Sequence, residues 1–164
     1  VDYVAVWTRG GGTPPTTPPA TPPTTPPSGV ISAYSTIEAE AFNAQNGVQV
    51  EPCSEGGQNI GWLRNGDWVR YDNIDFGSTP PRDFVARVAS GADPGISGLV
   101  EVRIGSPTST PIGSFAIANT GGWQSWRSVP GNVSPVTGVR TVYLTFTSGQ
   151  PNDFVNVNWF TFRR

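Results

Sequence analysis

Residues Thr13–Pro27 carry eight prolines in Thr-Pro-Pro repeats, and this run sets the first limit on how the chain folds. Each proline fixes φ and removes a backbone donor, so the run favours polyproline II and cannot join a hydrogen-bonded core. Gly10–Gly12 precede it and Ser28-Gly29 follow. The chain is thereby divided into a short N-terminal piece (1–9), a spacer (10–29) and a body (30–164). At about 3.1 Å per residue the run would extend about 45 Å as a semi-rigid spacer. No charged or aromatic anchors interleave the prolines, which argues against a docking motif for a proline-binding domain.

The body reads as short strands rich in Val, Ile, Thr, Phe and Tyr, separated by Gly, Pro, Asn and Ser. Strands are predicted at 36–41, 47–51, 67–75, 84–90, 98–105, 112–118, 123–129, 139–147 and 154–162. No segment keeps a helical period, so no crossovers for a parallel sheet are available. The predicted class is all-β, an antiparallel β-sandwich of jelly-roll type with a single core. Residues 1–9 alternate like a strand, but a lone strand is not stable. Together with a start at Val1, this reads as the tail of an upstream domain, and the chain as a piece of a longer protein.

Composition excludes several function classes. The net charge is −2 and only 13% of residues are charged, against about a quarter in an ordinary domain. All ten positive charges are Arg. Such a balance leaves no electrostatic footprint for nucleic acid or an anionic membrane, and no apolar run is long enough to span a bilayer. Histidine is absent and Cys53 is the one cysteine. Intrachain disulfides, ordinary zinc sites and His-based triads are therefore ruled out. Low charge with many Gly, Thr, Ser, Asn and aromatic residues suits a secreted, extracellular β-protein, and a monomer is expected.

Within the body, the stretch Asn59-Ile60-Gly61-Trp62-Leu63-Arg64-Asn65-Gly66-Asp67-Trp68-Val69-Arg70-Tyr71 carries the densest signal. Gly61 and Asn65-Gly66 are bend and turn signals, which puts Trp62 on a loop outside the sheet. From Asp67 the period is two, so Val69 and Tyr71 face one side and Trp68, Arg70 and Asp72 the other. Gly121-Gly122 before Trp123 suggest a loop that presents its ring, whereas Trp126 and Trp159 read as core. Asn156 and Asn158 lie between Phe154 and Phe160, and need partners if buried. Glu38 and Glu40, two apart on one predicted strand, project from one face. They could be solvated edge charges, a glycosidase pair or oxygen ligands for a hard cation.

These motifs together resemble the family 6 carbohydrate-binding modules over residues 36–164. The carrying residues are Ile37-Glu38-Ala39-Glu40 with Gly47-Val48-Gln49-Val50-Glu51, and Asn59-Ile60-Gly61-Trp62 with Gly66-Asp67-Trp68-Val69. Gly121-Gly122-Trp123 and Asn156-Val157-Asn158-Trp159-Phe160 complete the set. The resemblance implies a jelly roll with a loop cleft in which two aromatic rings, here Trp62 and Trp123, hold a sugar. Asn156 would donate to and accept from its hydroxyls, with Glu51 as an adjoining carboxylate. It also implies a structural Ca²⁺ held by Glu38, Glu40 and Asn158, where Asn stands in place of the family's commoner Asp. Some members have a second cleft on the concave face; Trp68 matches its platform and Arg70 shares that face, while the simpler reading has Trp68 packing under a loop.

Residues 1–7, Val-Asp-Tyr-Val-Ala-Val-Trp, resemble the last core strand of family 16 glycoside hydrolases. The reading is thus a non-catalytic module that binds polysaccharide, tethered to an upstream catalytic domain, with β-1,3-glucan as ligand and xylan as the alternative. A protein-interaction module and a small glycosidase are the more distant readings.

Overall fold

The computed structural model describes residues 29–164, so the N-terminal piece and all of the spacer but Gly29 lie outside the described residues. Twelve strands and no helix occur among them. These are β1 (Ile31–Ser32), β2 (Ile37–Glu38), β3 (Ala44–Asn46), β4 (Gln49–Pro52), β5 (Gln58–Leu63) and β6 (Trp68–Asp75), followed by β7 (Asp83–Ser90), β8 (Ser97–Ile104), β9 (Gly113–Ala118), β10 (Gly122–Asn132), β11 (Val139–Thr147) and β12 (Val155–Arg163). One sheet runs β1-β6-β11-β8-β9 with β3 also on β6; the other runs β10-β7-β12-β5-β4 with β2 also on β12. Every pairing is antiparallel except β1 with β6. The result is the all-β jelly-roll sandwich that the period-two patterning implies.

The inner faces make one core. Val69 and Tyr71 of β6, Val142, Leu144 and Phe146 of β11, and Val100 and Val102 of β8 meet Ile60, Val88, Val155, Val157, Phe160 and Phe162 of the facing sheet. Aromatic rings interlock edge-on through it: Tyr71 on Phe160 and Phe76 on Phe162, each with centroids 4.9 Å apart. The Tyr71 hydroxyl finds its buried partner in the carbonyl of Ala39, at 2.8 Å.

Register irregularities in four strands break the period and decide which residues reach the surface; three, in β6, β12 and β5, add a single residue. In β6 an extra residue between Tyr71 and Ile74, at Asn73 with φ of 58°, moves the inward phase from Val69 and Tyr71 to Ile74 and Phe76. In β12 an extra residue at Asn158 does the same, so Phe160 and Phe162 turn inward while Trp159 lies half-buried on the opposite side. Trp159 is therefore not the core residue that unbroken alternation from Val155 and Val157 predicts. In β5 the extra residue lies between Ile60 and Leu63, at Gly61-Trp62.

The predicted strand 36–41 shrinks to β2, because the Ala41 amide turns back to the Glu38 carbonyl at 3.0 Å. Glu38 and Glu40 consequently do not share one strand face as simple parity requires. Three short strands, β1, β3 and β5, fall outside the predicted set. The Asn65-Gly66 turn is present as expected, closed by the Asp67 amide on the Arg64 carbonyl at 3.1 Å.

Candidate functional site

Trp62 stands on β5 and not on a loop, but its placement depends on the bulge. Its φ of 57° lies in the left-handed region, uncommon for a bulky residue. Strain of this kind, of order 1–3 kcal/mol, persists only where neighbouring structure enforces it. The flanking Ile60 and Leu63 are fully buried and pin the strand, while the Trp62 ring is 40% exposed. An apolar ring of this size held out in solvent at a strained position marks a candidate binding feature.

Trp123 arrives from the other side. Between Gly122, paired with Ser90, and Arg127, paired with Val88, β10 carries three more residues than β7, so the chain arches out of the ladder. Gly121 and Gly122 have φ of 114° and 153°, which permits this exit. The ring is 38% exposed and its five-membered edge lies on Gly91. A Cβ at position 91 would come within 2.6 Å of Trp123 Cδ1. Gly91 thus seats the indole by leaving room for it. Trp126, expected in the core, is instead half-buried at the surface, where its Nε1–H donates to Ser54 Oγ at 3.0 Å.

Glu51, on β4, is the centre of an amide network. Its Oε1 accepts from Asn59 Nδ2 at 3.1 Å, Gln124 Nε2 at 3.2 Å and Asn156 Nδ2 at 3.0 Å. Asn156 Nδ2 also donates to the Trp123 carbonyl at 2.8 Å. Both partners of that nitrogen are acceptors, which fixes the amide orientation and uses both of its hydrogens. Asn156 therefore keeps only Oδ1 for a ligand, and acts as an acceptor rather than in the dual role expected from sequence. Gly61 leaves Oδ1 reachable: a Cβ there would lie 2.8 Å from it. Gln124 completes the network by donating to Asn59 Oδ1 and accepting from the Ser54 amide, tying β10 to the loop after β4.

Together Glu51, Trp62, Trp123, Asn156 and Asp153 line an open cleft of about 210 Å³. Four of the five are the residues singled out in the sequence. Asp153 is the addition. It is held by Arg64, whose Nε and Nη2 both approach Oδ1 at 2.8 Å. Nothing local in the sequence marks it, because its partner lies in the turn before β6.

Trp68 and Arg70 share the outer face of the first sheet, as strand parity requires, away from this cleft. Trp68 packs edge-on to Tyr143 at 5.5 Å, and Arg70 Nε lies 3.0 Å from Asp72 Oδ1. The nearby Glu101 is clamped by Thr147, Arg103 and Thr145. Burial pushes its carboxyl up, but these hydrogen bonds outweigh it and hold the group below its ordinary range.

The candidate cation ligands lie on another part of the fold. Glu38 pairs with Trp159 across β2 and β12, and the Ala39 amide donates to the Asn158 carbonyl at 2.9 Å, so the backbone brings the 38–40 segment against Asn158. Burial raises the carboxyls of Glu38 and Glu40, and for Glu40 the nearby Glu38 charge adds to the rise. Glu40 Oε2 and Gln58 Oε1 are buried without a hydrogen-bond partner. Oxygen atoms in want of a positive partner fit a hard cation. Among the described residues no three acidic, His or Cys side chains converge, so a cation here would rest on two carboxylates plus neutral oxygens. Cys53 is buried, and burial pushes its thiol up, away from ready reactivity.

Comparison with known proteins gives a consistent result. A family 6 carbohydrate-binding module from Clostridium cellulolyticum, solved in complex with xylose, is 45% identical with a TM-score of 0.76, over 81% of this chain and 99% of that one. A β-1,3-glucan-binding module of the same family from Bacillus halodurans is also 45% identical, with a TM-score of 0.77, over 83% and 100% of the two chains. Endo-1,4-beta-xylanase A of Thermoclostridium stercorarium is 37% identical over 134 residues; the match takes in 80% of this chain but only 24% of that protein. The model of the family described as "Carbohydrate binding module (family 6)" matches residues 38–164. The chain belongs to carbohydrate-binding module family 6.

Proposed function

We propose that the cleft holds a β-1,3-glucan chain, with one sugar ring between Trp62 and Trp123. The observation that carries this reading is the pairing of two exposed indoles with a committed acceptor set. A pyranose presents C–H groups on its faces and hydroxyls around its rim. Flat aromatic rings cover the faces at little entropic cost, while Asn156 Oδ1, Asp153 and the rest of the Glu51 carboxylate accept from the hydroxyls. No general acid or nucleophile takes part, in keeping with a non-catalytic module. The buried Ile60 and Leu63 hold the Trp62 backbone and Gly91 seats the Trp123 ring before binding, so less ordering remains to be lost when the ligand arrives.

The β-1,3-glucan assignment is supported by the Bacillus halodurans relative and by the likeness of residues 1–7 to the end of a family 16 glycoside hydrolase. On this reading residues 10–29 are the linker to that catalytic domain and the protein is secreted. Attachment would then turn weak binding per site into useful residence on a polymer through effective concentration. Xylan is the second reading, supported equally by the xylose complex of the Clostridium cellulolyticum module.

We also propose that Glu38, Glu40 and Asn158 hold a structural Ca²⁺. Bound there, the ion would supply positive charge to the two carboxylates, of which Glu40 Oε2 is buried without a partner and Glu38 is exposed. The protein itself lays Asn158 against the 38–40 segment through the bulge in β12, and anchors that segment to the core through Tyr71.

Titration calorimetry of the 164-residue chain with laminari- and xylo-oligosaccharides tests the ligand. Heat with the β-1,3-linked series is expected, and tighter binding to the xylo series would transfer the assignment to xylan. Absence of heat with both, in the presence of Ca²⁺, would refute the cleft reading.

A further inference from the structure

A second hollow of about 250 Å³ is lined by Gly91, Ala92, Asp93, Ile96, Asn152 and Asp153, and shares Trp123 with the first cleft. Asp153 borders both hollows as well, so the two adjoin. The two charged residues that line the second hollow, Asp93 and Asp153, are both acidic. Asp93 is exposed and takes part in no ion pair among the described residues. Asp153 meets its one cation, Arg64, through Oδ1 alone. Glu51 adds a third carboxylate to the lining of the first hollow, hydrogen-bonded to neutral amides. Carboxylates accept hydrogen bonds from hydroxyls well, but repel another carboxylate brought within a screening length.

We infer that the second hollow continues the glycan cleft, takes an uncharged sugar unit and turns away uronate-bearing units, with Asp93 and Asp153 as the residues that set this choice. The inference rests on the proposed glycan binding and adds its charge selectivity. A neutral glucan or unsubstituted xylan passes along the groove; a chain carrying glucuronic acid or C6 carboxylates does not.

The test uses the whole chain and paired probes: laminaripentaose against the same oligosaccharide oxidised to the carboxylate at every C6, and xylopentaose against a xylo-oligosaccharide bearing glucuronic acid. Each is titrated at about 0.01 M and about 1 M salt, where screening lengths are about 30 Å and about 3 Å. The neutral member should bind with the same affinity at both salts. Its charged counterpart should bind about tenfold more weakly at low salt and recover most of that at high salt. The neutral-to-charged ratio at low salt should shrink about threefold in Asp93→Asn and in Asp153→Asn. Equal affinity for the paired probes, or a ratio that both substitutions leave unchanged, would overturn the inference while leaving the cleft reading in place. No binding of either neutral oligosaccharide would bring down the cleft reading and this inference with it.

Discussion

Two regions of this molecule present Trp at the surface, and they are built in opposite ways. In the cleft, Trp62 and Trp123 stand on bulges, each without a partner ring among the described residues, and Asn156 keeps an acceptor in reserve. On the outer face of the first sheet, Trp68 stands on regular strand geometry, packs against Tyr143, and is surrounded by charges that pair with each other: Arg70 with Asp72, Arg103 with Glu101. On the outer face the ring has an internal partner and the charges are paired, with only Arg70 Nε buried short of a well-directed hydrogen bond, whereas the cleft leaves two rings and Asn156 Oδ1 open. An exposed aromatic residue is thus better judged by what its neighbours leave unsatisfied than by its exposure, which is why the cleft and not the outer face is assigned the main binding role.

The largest effect expected from this contrast is on the cleft rings. Trp62→Ala and Trp123→Ala should each lower affinity for the preferred oligosaccharide by about 2–3 kcal/mol or more, thirtyfold upward, with little change in melting temperature. If either variant keeps near-full affinity on calorimetry, the two-ring cleft is wrong.

A calcium effect should follow, on stability and not on affinity. In the metal-free protein the raised carboxyls of Glu38 and Glu40 bind protons more tightly folded than unfolded. They therefore lower stability as pH rises past the ordinary carboxylate range, and that cost is relieved on acidification. Ca²⁺ at about a hundred times its dissociation constant should add about 2.7 kcal/mol near neutral pH, and much less near pH 4.5. Melting curves that do not respond to Ca²⁺ or to chelator at either pH would refute the cation site.

Smaller effects sharpen the comparison. Asn156→Ala removes the acceptor and one donor to Glu51, and should cost about 1–2 kcal/mol in affinity. Gly91→Ala, at a position whose backbone tolerates Ala, should tilt the Trp123 ring and weaken binding about fivefold, measurable by the same titration. Trp68→Ala should change affinity less than twofold, since its ring already has an internal partner. A loss as large as that of Trp123→Ala would make the outer face a second cleft.

The all-β class was legible because period two survives through most strands: Val69 and Tyr71 inward, Trp68, Arg70 and Asp72 outward. It failed where a strand gains a residue. No composition signal announces the extra Asn158 that turns Trp159 outward, or the Gly61-Trp62 bulge that keeps Trp62 within a strand. These defects arise from pairing with distant partners. The same non-locality hid Asp153, defined by Arg64 across the fold, and the role of Gln124, which joins Glu51 and Asn59 from far along the chain. Trp62, Trp123, Asn156 and Glu51 could be grouped beforehand only through the family resemblance, since no spacing rule connects β4, β5, β10 and β12.

The most direct measurement is an NMR titration that follows the indole N–H resonances of the six Trp residues as oligosaccharide is added. Stacking in the cleft should shift the Trp62 and Trp123 signals and leave those of Trp68, Trp126 and Trp159 nearly in place. Movement of Trp68 with Trp62 and Trp123 unmoved would put the ligand on the outer face and contradict the assignment.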